Sequence, residues 1–268
     1  MILKERLPAC ILQTTGTNCD KETAYGLEKA FGIAESKPKI THLNELIKRE
    51  DKLANYKIAA LAGGFANGDF GGGAGRILAL NLVEHLKDQL LEFKEKGGLI
   101  IGVCNGFQGL VRAGLLPFGN IGEIKAALDV NDVGHFDNRW VYLRTENSPC
   151  VFLRETGGEI VNLQTAHREG NFTADNDVLE RIENENLVVF RYCDVEGNPT
   201  QEFPDNPNGS MNAIAAITNP KGDILGIMPH PERFVEKTQH PNWRRMPKDF
   251  VPDGLKIIQK MVSYASQM

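Results

Sequence analysis

The stretch GGLIIGVCNGFQGLVRAG, residues 97–114, joins a strand-like run to a helical pattern around one cysteine. The unbroken, β-branched apolar run at residues 98–103 is typical of a strand buried on both faces of a parallel sheet. Cys104 follows this run directly, and Gly102 and Gly106 lie two residues away on either side. This spacing indicates a tight strand-to-helix turn that exposes a nucleophilic side chain. The glycines are needed because a Cβ at either position would collide with the neighbouring backbone.

A helix that begins at about Asn105 would direct its N–H groups and its positive dipole end at the sulfur of Cys104, which favours the thiolate. A buried structural cysteine at a strand end is the alternative interpretation, and this stretch alone leaves it open. A thiolate nucleophile also requires a base and a group that orients the base. The rest of the chain therefore has to supply both.

Strand-like and helical segments alternate in the first half of the chain. Residues 9–14 and 57–64 are predicted as strands, and a helix is predicted over about 21–31. Apolar residues recur at helical spacing over residues 77–93, and Gly97 is a suitable C-cap. Repeated strand–helix–strand order predicts an α/β fold with a mainly parallel sheet that helices cover on both faces.

The second half is richer in strands, which turn-rich segments separate. Six apolar segments are predicted as strands, at residues 123–130, 139–145, 159–166, 187–192, 212–218 and 223–228. A final helix is predicted over about 253–265. No repeat, low-complexity tract or linker divides the sequence. We therefore expect residues 1–268 to form a single domain with additional strands in its second half.

Composition and charge exclude several classes of protein. The 268 residues are 41% hydrophobic and 24% charged and carry a net charge of −5, which argues against broad nucleic-acid binding. No apolar run approaches the roughly 18 residues of a membrane span, and no signal peptide is evident, so we expect a cytoplasmic protein without membrane contact. Five cysteines without a C-x-x-C pair predict neither a zinc site nor a disulfide framework, and no metal is expected.

Among the six histidines, His230 in GIMPHPERF (residues 226–234) is the candidate base. It lies between Pro229 and Pro231, which favour an extended backbone. In an extended segment, residues i and i+2 project to the same side. Glu232 can then orient the imidazole towards the thiol. A structural histidine in a proline-rich turn is the alternative interpretation.

The stretch LAGGFANGDFGGGAGR, residues 61–76, carries seven glycines. Such a loop after a strand lets backbone N–H groups approach a ligand closely. Acyl-transfer chemistry needs two such donors for an oxyanion, and we expect them from Gly64 or Phe65 and from Asn105. A phosphate-binding loop is one alternative, but the G-K-[ST] of a P-loop is absent. A flexible hinge is the other.

Six short motifs follow one another in the order typical of one enzyme family. They are GTNCD (16–20), GGFANGDF (63–70), GVCNGFQ (102–108), AHREGNF (166–172), NPNGS (206–210) and GIMPHPER (226–233). Together they resemble the class I, or triad, glutamine amidotransferases, and most specifically the glutaminase subunits of phosphoribosylformylglycinamidine synthase. The resemblance spans residues 16–233 and implies a flavodoxin-like three-layer sandwich.

At the matching positions, the resemblance implies Cys104 as the nucleophile, His230 as general base and acid, and Glu232 as the partner that orients it. Gln108 would help to hold the substrate L-glutamine, and His167 with its neighbours would line the same pocket. Ammonia would pass to a synthetase subunit that binds ATP and Mg²⁺ for purine biosynthesis, so this chain is expected to bind no cofactor itself. A small accessory subunit is left open. The family usually has AHGEG where this chain has AHREG, which places Arg168 near the expected pocket.

Two other functions stay open at this point. One is another enzyme on the same scaffold, such as the amidotransferase of guanylate or pyridoxal-phosphate synthesis, or an intracellular peptidase-like relative. The EGNF and NPNGS motifs argue against it. The other is a non-catalytic binding or regulatory module that keeps the fold. The presence of all three triad residues argues against this second function.

Overall fold

The computed structural model describes residues 7–32, 37–68, 73, 75–154 and 156–268. The strands in these ranges are Leu7–Gln13 (β1), Lys39–His42 (β2), Tyr56–Leu61 (β3), Leu99–Val103 (β4), Ala126–Val130 (β5), Asp137–Thr145 (β6), Ile160–His167 (β7), Glu169–Ala174 (β8), Val188–Cys193 (β9), Ile214–Thr218 (β10) and Ile224–Ile227 (β11). The α-helices are Asp20–Phe31 (α1), Leu43–Ile47 (α2), Arg76–Glu84 (α3), Lys87–Glu95 (α4), Asn105–Arg112 (α5), Asn176–Asn184 (α6) and Asp253–Ser266 (α7). Part of the predicted glycine-rich loop, residues 69–72 and 74, lies outside the described residues.

Five parallel strands form one half of a nine-stranded sheet, in the order β2-β1-β3-β4-β11. This is the 2-1-3-4-5 order of flavodoxin-like folds, as the resemblance implied. β4 lies between β3 and β11, and its Gly102 is paired with Leu61 on one side and Gly226 on the other. Because parallel strands end at the same edge of a sheet, the residues that follow β3, β4 and β11 meet there.

Four antiparallel strands continue the same sheet beyond β11, in the order β10-β9-β6-β7. The additional strands predicted for the second half therefore widen the sheet. A tight turn joins β10 to β11 as a hairpin, in which Gly222 N–H donates to the carbonyl of Asn219 at 2.8 Å. β5 and β8 pair with each other in a separate two-stranded ribbon.

Helices pack on the sheet in two groups. α1 packs with α7, and α3 packs with α5, which also contacts β3, β4 and β11. The layers enclose large aromatic side chains completely, among them Tyr56, Phe93, Phe107 and Phe190. Burial of one such side chain contributes about 1.5–3 kcal/mol to the stability of the fold. Within the part of the chain that the structure describes, no helix is long and apolar enough to cross a membrane.

The helix predicted as continuous over residues 77–93 is broken. α3 and α4 are separated by a bend at Leu86, whose side chain is buried in the core. Apolar spacing continues across this bend, so periodicity alone does not reveal it. The predicted end of the helix is confirmed, because Gly97 lies just beyond α4 in the left-handed region, at φ +79°.

Several short elements were not predicted from the sequence. They are β2, α2, β8 and α6, each of four to nine residues. β8 begins within the AHREGNF motif, whose polar residues give no apolar pattern typical of a strand. The predicted final helix is confirmed as α7.

Candidate active site

Cys104 lies at the turn between β4 and α5, as its flanking glycines predicted. Its backbone, at φ 51° and ψ −108°, has a conformation that residues other than glycine rarely adopt. A Cβ on Gly106 would collide with the carbonyl oxygen of Leu61, and one on Gly102 would lie 2.8 Å from the backbone of Gly106. The carbonyl of Ile227 in β11 accepts the N–H of Cys104 at 2.8 Å. The strained turn therefore packs against β3 on one side and is hydrogen-bonded to β11 on the other.

His230 and Glu232 form a buried hydrogen-bonded pair beyond the end of β11. Nδ1 of His230 and Oε1 of Glu232 are 2.5 Å apart, and both side chains are almost fully enclosed. The backbone differs from the extended segment that was predicted, because residues 231–233 form one 3-10 turn after an extended His230. Pro231 suits the first position of such a turn, since its φ is helical and it lacks an N–H. The turn brings the carboxylate back to the ring.

The charge state of His230 follows from its neighbours. Burial disfavours the protonated ring, but the charge of Glu232 and the nearby thiols of Cys104 and Cys19 outweigh it. The pKa of His230 is therefore raised well above 6.5. Because Glu232 engages Nδ1, Nε2 is the ring nitrogen left for another partner, and it has no hydrogen-bond partner among the described residues. A raised pKa favours the protonated ring, which suits it to protonate a leaving group.

Gly63, two residues beyond β3, is the point at which the side chains of Cys104, His230 and Cys19 meet. A Cβ built on Gly63 would lie 2.9 Å from Cε1 of His230 and 3.4 Å from Cβ of Cys104. It would also lie 3.4 Å from Sγ of Cys19. Only a residue without a side chain leaves room for all three groups. Gly63 and Cys19 were not predicted as site residues, because they approach the other groups only in the folded chain.

Cys19 brings a second thiol into the site. Its buried sulfur accepts a hydrogen bond from Nη2 of Arg233 and donates one to Oδ1 of Asn18, both at 3.2 Å. Burial raises the pKa of the Cys19 thiol above 9.0, so it stays protonated at neutral pH. Donor atoms of Cys19, His230 and Glu232 lie within 4.8 Å of one another and are of types that bind zinc. Since Arg233 and the His230–Glu232 bond already engage these atoms, the arrangement favours acid–base chemistry over metal binding.

The glycine-rich loop contributes Gly64 and Phe65 to the site. Phe65 N–H donates to the carbonyl of Gly16 at 2.9 Å, and Asn18 N–H donates to the carbonyl of Gly63 at 3.4 Å. Gly64 lies between these two bonds, so its own N–H points away from residues 16–18, and Gly64 is also one of the residues that line a cavity. Of the two donors predicted from this loop, Gly64 is the better placed, because the N–H of Phe65 is already engaged.

Asn105 and Gln108 tie the nucleophile turn to the surrounding walls. Oδ1 of Asn105 accepts the N–H of Ala66 at 2.9 Å, and its Nδ2 donates to Oε1 of Gln108 at 2.8 Å. Nε2 of Gln108 donates to the carbonyl of Glu169 at 2.5 Å. Gln108 lines the cavity, but protein groups engage both ends of its amide. Its side chain therefore braces the wall of the site.

The cavity at this edge of the sheet has a volume of about 380 Å³, within the range of small-molecule sites. Six of the predicted site residues line it: Gly64, Phe65, Cys104, Gln108, His167 and His230. Five further lining residues lie within the quoted motifs but were given no role there: Asn18, Cys19, Ala166, Glu169 and Arg233. Phe136 and Asn138 line it without any signal in the sequence. Arg168, which departs from the family pattern, is exposed at the cavity.

The NPNGS motif braces the cavity wall that carries His167. Oγ of the fully buried Ser210 accepts the N–H of Phe172 at 2.9 Å and lies 3.2 Å from the carbonyl oxygen of Gly170. Asn206 in turn donates from Nδ2 to the carbonyl of Ser210 at 3.0 Å. A Cβ on Gly170 would lie within 2.5 Å of the ring of His167. The motif therefore holds β8 in place. At Gly170, the absence of a side chain leaves room for the ring of His167.

Comparison with known proteins gives matches over nearly the whole chain. The sequence profile of the CobB/CobQ-like glutamine amidotransferase domain matches residues 6–265. A relative from Dehalococcoides mccartyi, named phosphoribosylformylglycinamidine synthase subunit PurQ, is 41% identical over 264 residues, which cover 98% of this chain and 99% of the relative. The subunit of the same name from Thermus thermophilus is 38% identical over 228 residues, which cover 85% of this chain and 89% of the relative.

Solved structures give the same result. A chain in the structure of PurLQS from Thermotoga maritima is similar with a TM-score of 0.68 and 30% identity, over 98% of this chain and 99% of that chain. A glutamine amidotransferase from Methylobacillus flagellatus, with a TM-score of 0.52 and 12% identity, shares the fold. The chain thus belongs to the CobB/CobQ-like glutamine amidotransferase family, in the group of the PurQ subunits of phosphoribosylformylglycinamidine synthase.

Proposed function

We propose that this chain hydrolyses L-glutamine with Cys104, His230 and Glu232 and supplies the ammonia to a synthetase partner. The observation that carries the proposal is the junction at Gly63, where a thiol on a strained turn meets a buried imidazole that is hydrogen-bonded to a carboxylate. The relatives from D. mccartyi and T. thermophilus bear the name of a synthase subunit, which supports the same substrate and the same class of partner.

In the first step, the thiolate of Cys104 attacks the carboxamide carbon of glutamine. The carbonyl oxygen becomes an oxyanion, for which we assign the N–H groups of Gly64 and Asn105 as donors. Protonated Nε2 of His230 gives its proton to the amide nitrogen. The C–N bond then breaks, and ammonia leaves behind a γ-glutamyl thioester on Cys104.

In the second step, water hydrolyses the thioester. The ring of His230, now neutral, takes a proton from the water while its oxygen attacks the thioester carbon. The C–S bond breaks, glutamate leaves, and the thiolate of Cys104 is regenerated beside the imidazolium. Glu232 keeps the ring oriented and stabilises its positive charge in both steps.

The ammonia acceptor and its activation are assigned to the partner. The sequence contains no G-K-[ST] phosphate-binding motif, so ATP and Mg²⁺ are placed on the synthetase, which would convert formylglycinamide ribonucleotide to formylglycinamidine ribonucleotide. A chain similar to this one belongs to the T. maritima PurLQS structure, which supports an assembly with a synthetase and a small accessory subunit. We expect weak hydrolysis by the chain alone and activation by the partner, since ammonia without an acceptor is lost.

Glutamate release by the wild-type chain and by Cys104→Ala, each with and without the partner, tests this proposal. We expect activity that rises with the partner and is absent in Cys104→Ala. Cys193→Ala is the matched control, because it removes a buried thiol from β9, outside the cavity lining. Activity that survives in Cys104→Ala would remove this residue from the mechanism. No hydrolysis by the wild-type chain in either setting would indicate a binding module.

A further inference from the structure

Asn131 holds His167 through both the backbone and the ring. Its Nδ2 donates to the carbonyl of His167 at 2.9 Å and to the carbonyl of His135 at 3.3 Å, and its Oδ1 accepts the N–H of Gly170 at 3.0 Å. These partners are backbone groups with fixed donor and acceptor roles, so they determine the orientation of the Asn131 amide. Its oxygen, and not its nitrogen, therefore faces Nδ1 of His167, at 3.1 Å.

This orientation fixes the tautomer of His167. An amide oxygen only accepts, so Nδ1 carries the proton and Nε2 carries a lone pair. Burial lowers the pKa of His167 to about 3; the charge of His230 acts in the same direction, and Asp137 opposes both. The carboxylate of Asp137 is itself engaged by Arg139, at 2.6 and 2.5 Å. The ring is thus neutral at neutral pH, and Nε2 can only accept.

Nε2 of His167 has no hydrogen-bond partner among the described residues, although the side chain is only 3% exposed. A buried acceptor without a partner is costly, and at a cavity wall it points to a ligand that brings the donor. The preceding residue, Ala166, has its carbonyl oxygen 3.8 Å from Sγ of Cys104. Ala166, His167 and Cys104 line the same cavity, so the unpartnered acceptor belongs to the wall that faces the thiol.

We propose that Nε2 of His167 accepts a hydrogen bond from the carboxamide N–H of the substrate and thereby selects glutamine over glutamate. The inference rests on the proposed function, which it deepens. A carboxamide supplies the missing donor, whereas a carboxylate oxygen in the same place would face the lone pair and leave both groups unpaired. A site built around such a hydrogen bond rejects an analogue that cannot make it.

The same contact accounts for the fate of the two products. When the C–N bond breaks, His230 donates a proton to the nitrogen while His167 accepts from one of its N–H groups. The leaving ammonia is then held between two imidazoles of opposite role, one a donor and the other an acceptor. Glutamate, formed in the second step, finds no donor at His167 and dissociates.

Calorimetric binding to the Cys104→Ala chain, which cannot consume glutamine, tests the selection with the synthetase partner present. His167→Leu removes the acceptor at similar volume, and we expect the affinity for glutamine to fall about 10- to 100-fold while that for glutamate does not fall. His167→Gln keeps an oxygen near the position of Nε2 and should retain most glutamine binding. Because an amide can also turn and donate, it should bind glutamate more tightly than the parent chain does.

Nitrogen-15 NMR of the histidine-labelled chain measures the tautomer directly, and His167→Gln assigns the signal. We expect a proton on Nδ1 and no titration of this ring at neutral or mildly acid pH. A proton on Nε2, or equal losses of glutamine and glutamate binding in His167→Leu, would overturn the inference. If both ligands bind as expected but the wild-type chain never hydrolyses glutamine, the proposed function fails and the selection stands.

Discussion

Gly63→Ala places one methyl group between the thiol and the base. Its Cβ would lie 2.9 Å from Cε1 of His230, whereas carbon atoms in contact are about 3.5–4.0 Å apart. Cβ of Cys104 and Sγ of Cys19, each 3.4 Å away, prevent the methyl group from retreating. The φ of Gly63 is not positive, so alanine adds no backbone strain. The ring of His230 must therefore move by about 0.6 Å or more to restore a normal contact.

The size of that displacement sets the expected loss of activity. A misplacement of about 1 Å costs on the order of 10²-fold in rate, so about 0.6 Å predicts a loss of roughly 10-fold in kcat/KM. Overpacking also costs about 1–3 kcal/mol of stability. A domain of ordinary stability, about 5–15 kcal/mol, stays folded after such a loss. The variant is thus expected to be folded and slow.

The assay is partner-activated glutamate release, with the folded fraction followed by thermal unfolding. Gly98→Ala is the matched control, because its Cβ would collide with the ring of Phe93 at the opposite end of β4 from Cys104. It should lose stability and keep its activity per folded molecule. Wild-type kcat/KM in Gly63→Ala would refute the reasoning that the thiol and the imidazole meet at this glycine. An equal loss of kcat/KM in Gly98→Ala would show that reduced stability alone causes the effect.

Two further substitutions test the charge on His230 and the hydrogen bond of Ser210 that holds β8 in the cavity wall. Glu232→Gln removes the charge that raises the pKa of His230, so the ring loses its proton at lower pH. The alkaline limb of the kcat/KM–pH profile should move to lower pH, and an unmoved limb would contradict the assignment. Ser210→Ala leaves the buried N–H of Phe172 unpaired, and urea unfolding should show a loss of about 1–3 kcal/mol. Unchanged stability would show that this bond does not hold β8.

The local parts of the site could be predicted from the sequence because neighbouring residues determine them. Gly102, Cys104 and Gly106 act within one turn, and His230 reaches Glu232 across two residues. Three of the five parallel strands, β1, β3 and β4, were likewise predictable from apolar runs that alternate with helices, whereas β2 was not. Even there, the 3-10 turn after His230 was missed, because flanking prolines are compatible with both an extended backbone and the start of a helical turn.

Contacts that depend on strand order could not be predicted in this way. Cys19 follows β1, Gly63 follows β3 and Cys104 follows β4, and only the order of these strands in the sheet brings the three together. Asn131 and His167 are 36 residues apart, and an asparagine in a polar loop gives no sign that it orients an imidazole. The widening of the sheet by β10, β9, β6 and β7 depends on long-range pairing in the same way.

β11 is the last strand to be synthesised, yet it occupies the fifth of nine places in the sheet, between β4 and β10. A chain that is still growing on the ribosome has its nucleophile long before it has Ile227 to hold the turn or His230 to supply a proton. When β11 inserts between β4 and β10, it joins the two halves of the sheet and brings His230 to Cys104. Under the proposed mechanism, an unfinished chain therefore cannot release ammonia, because it lacks His230.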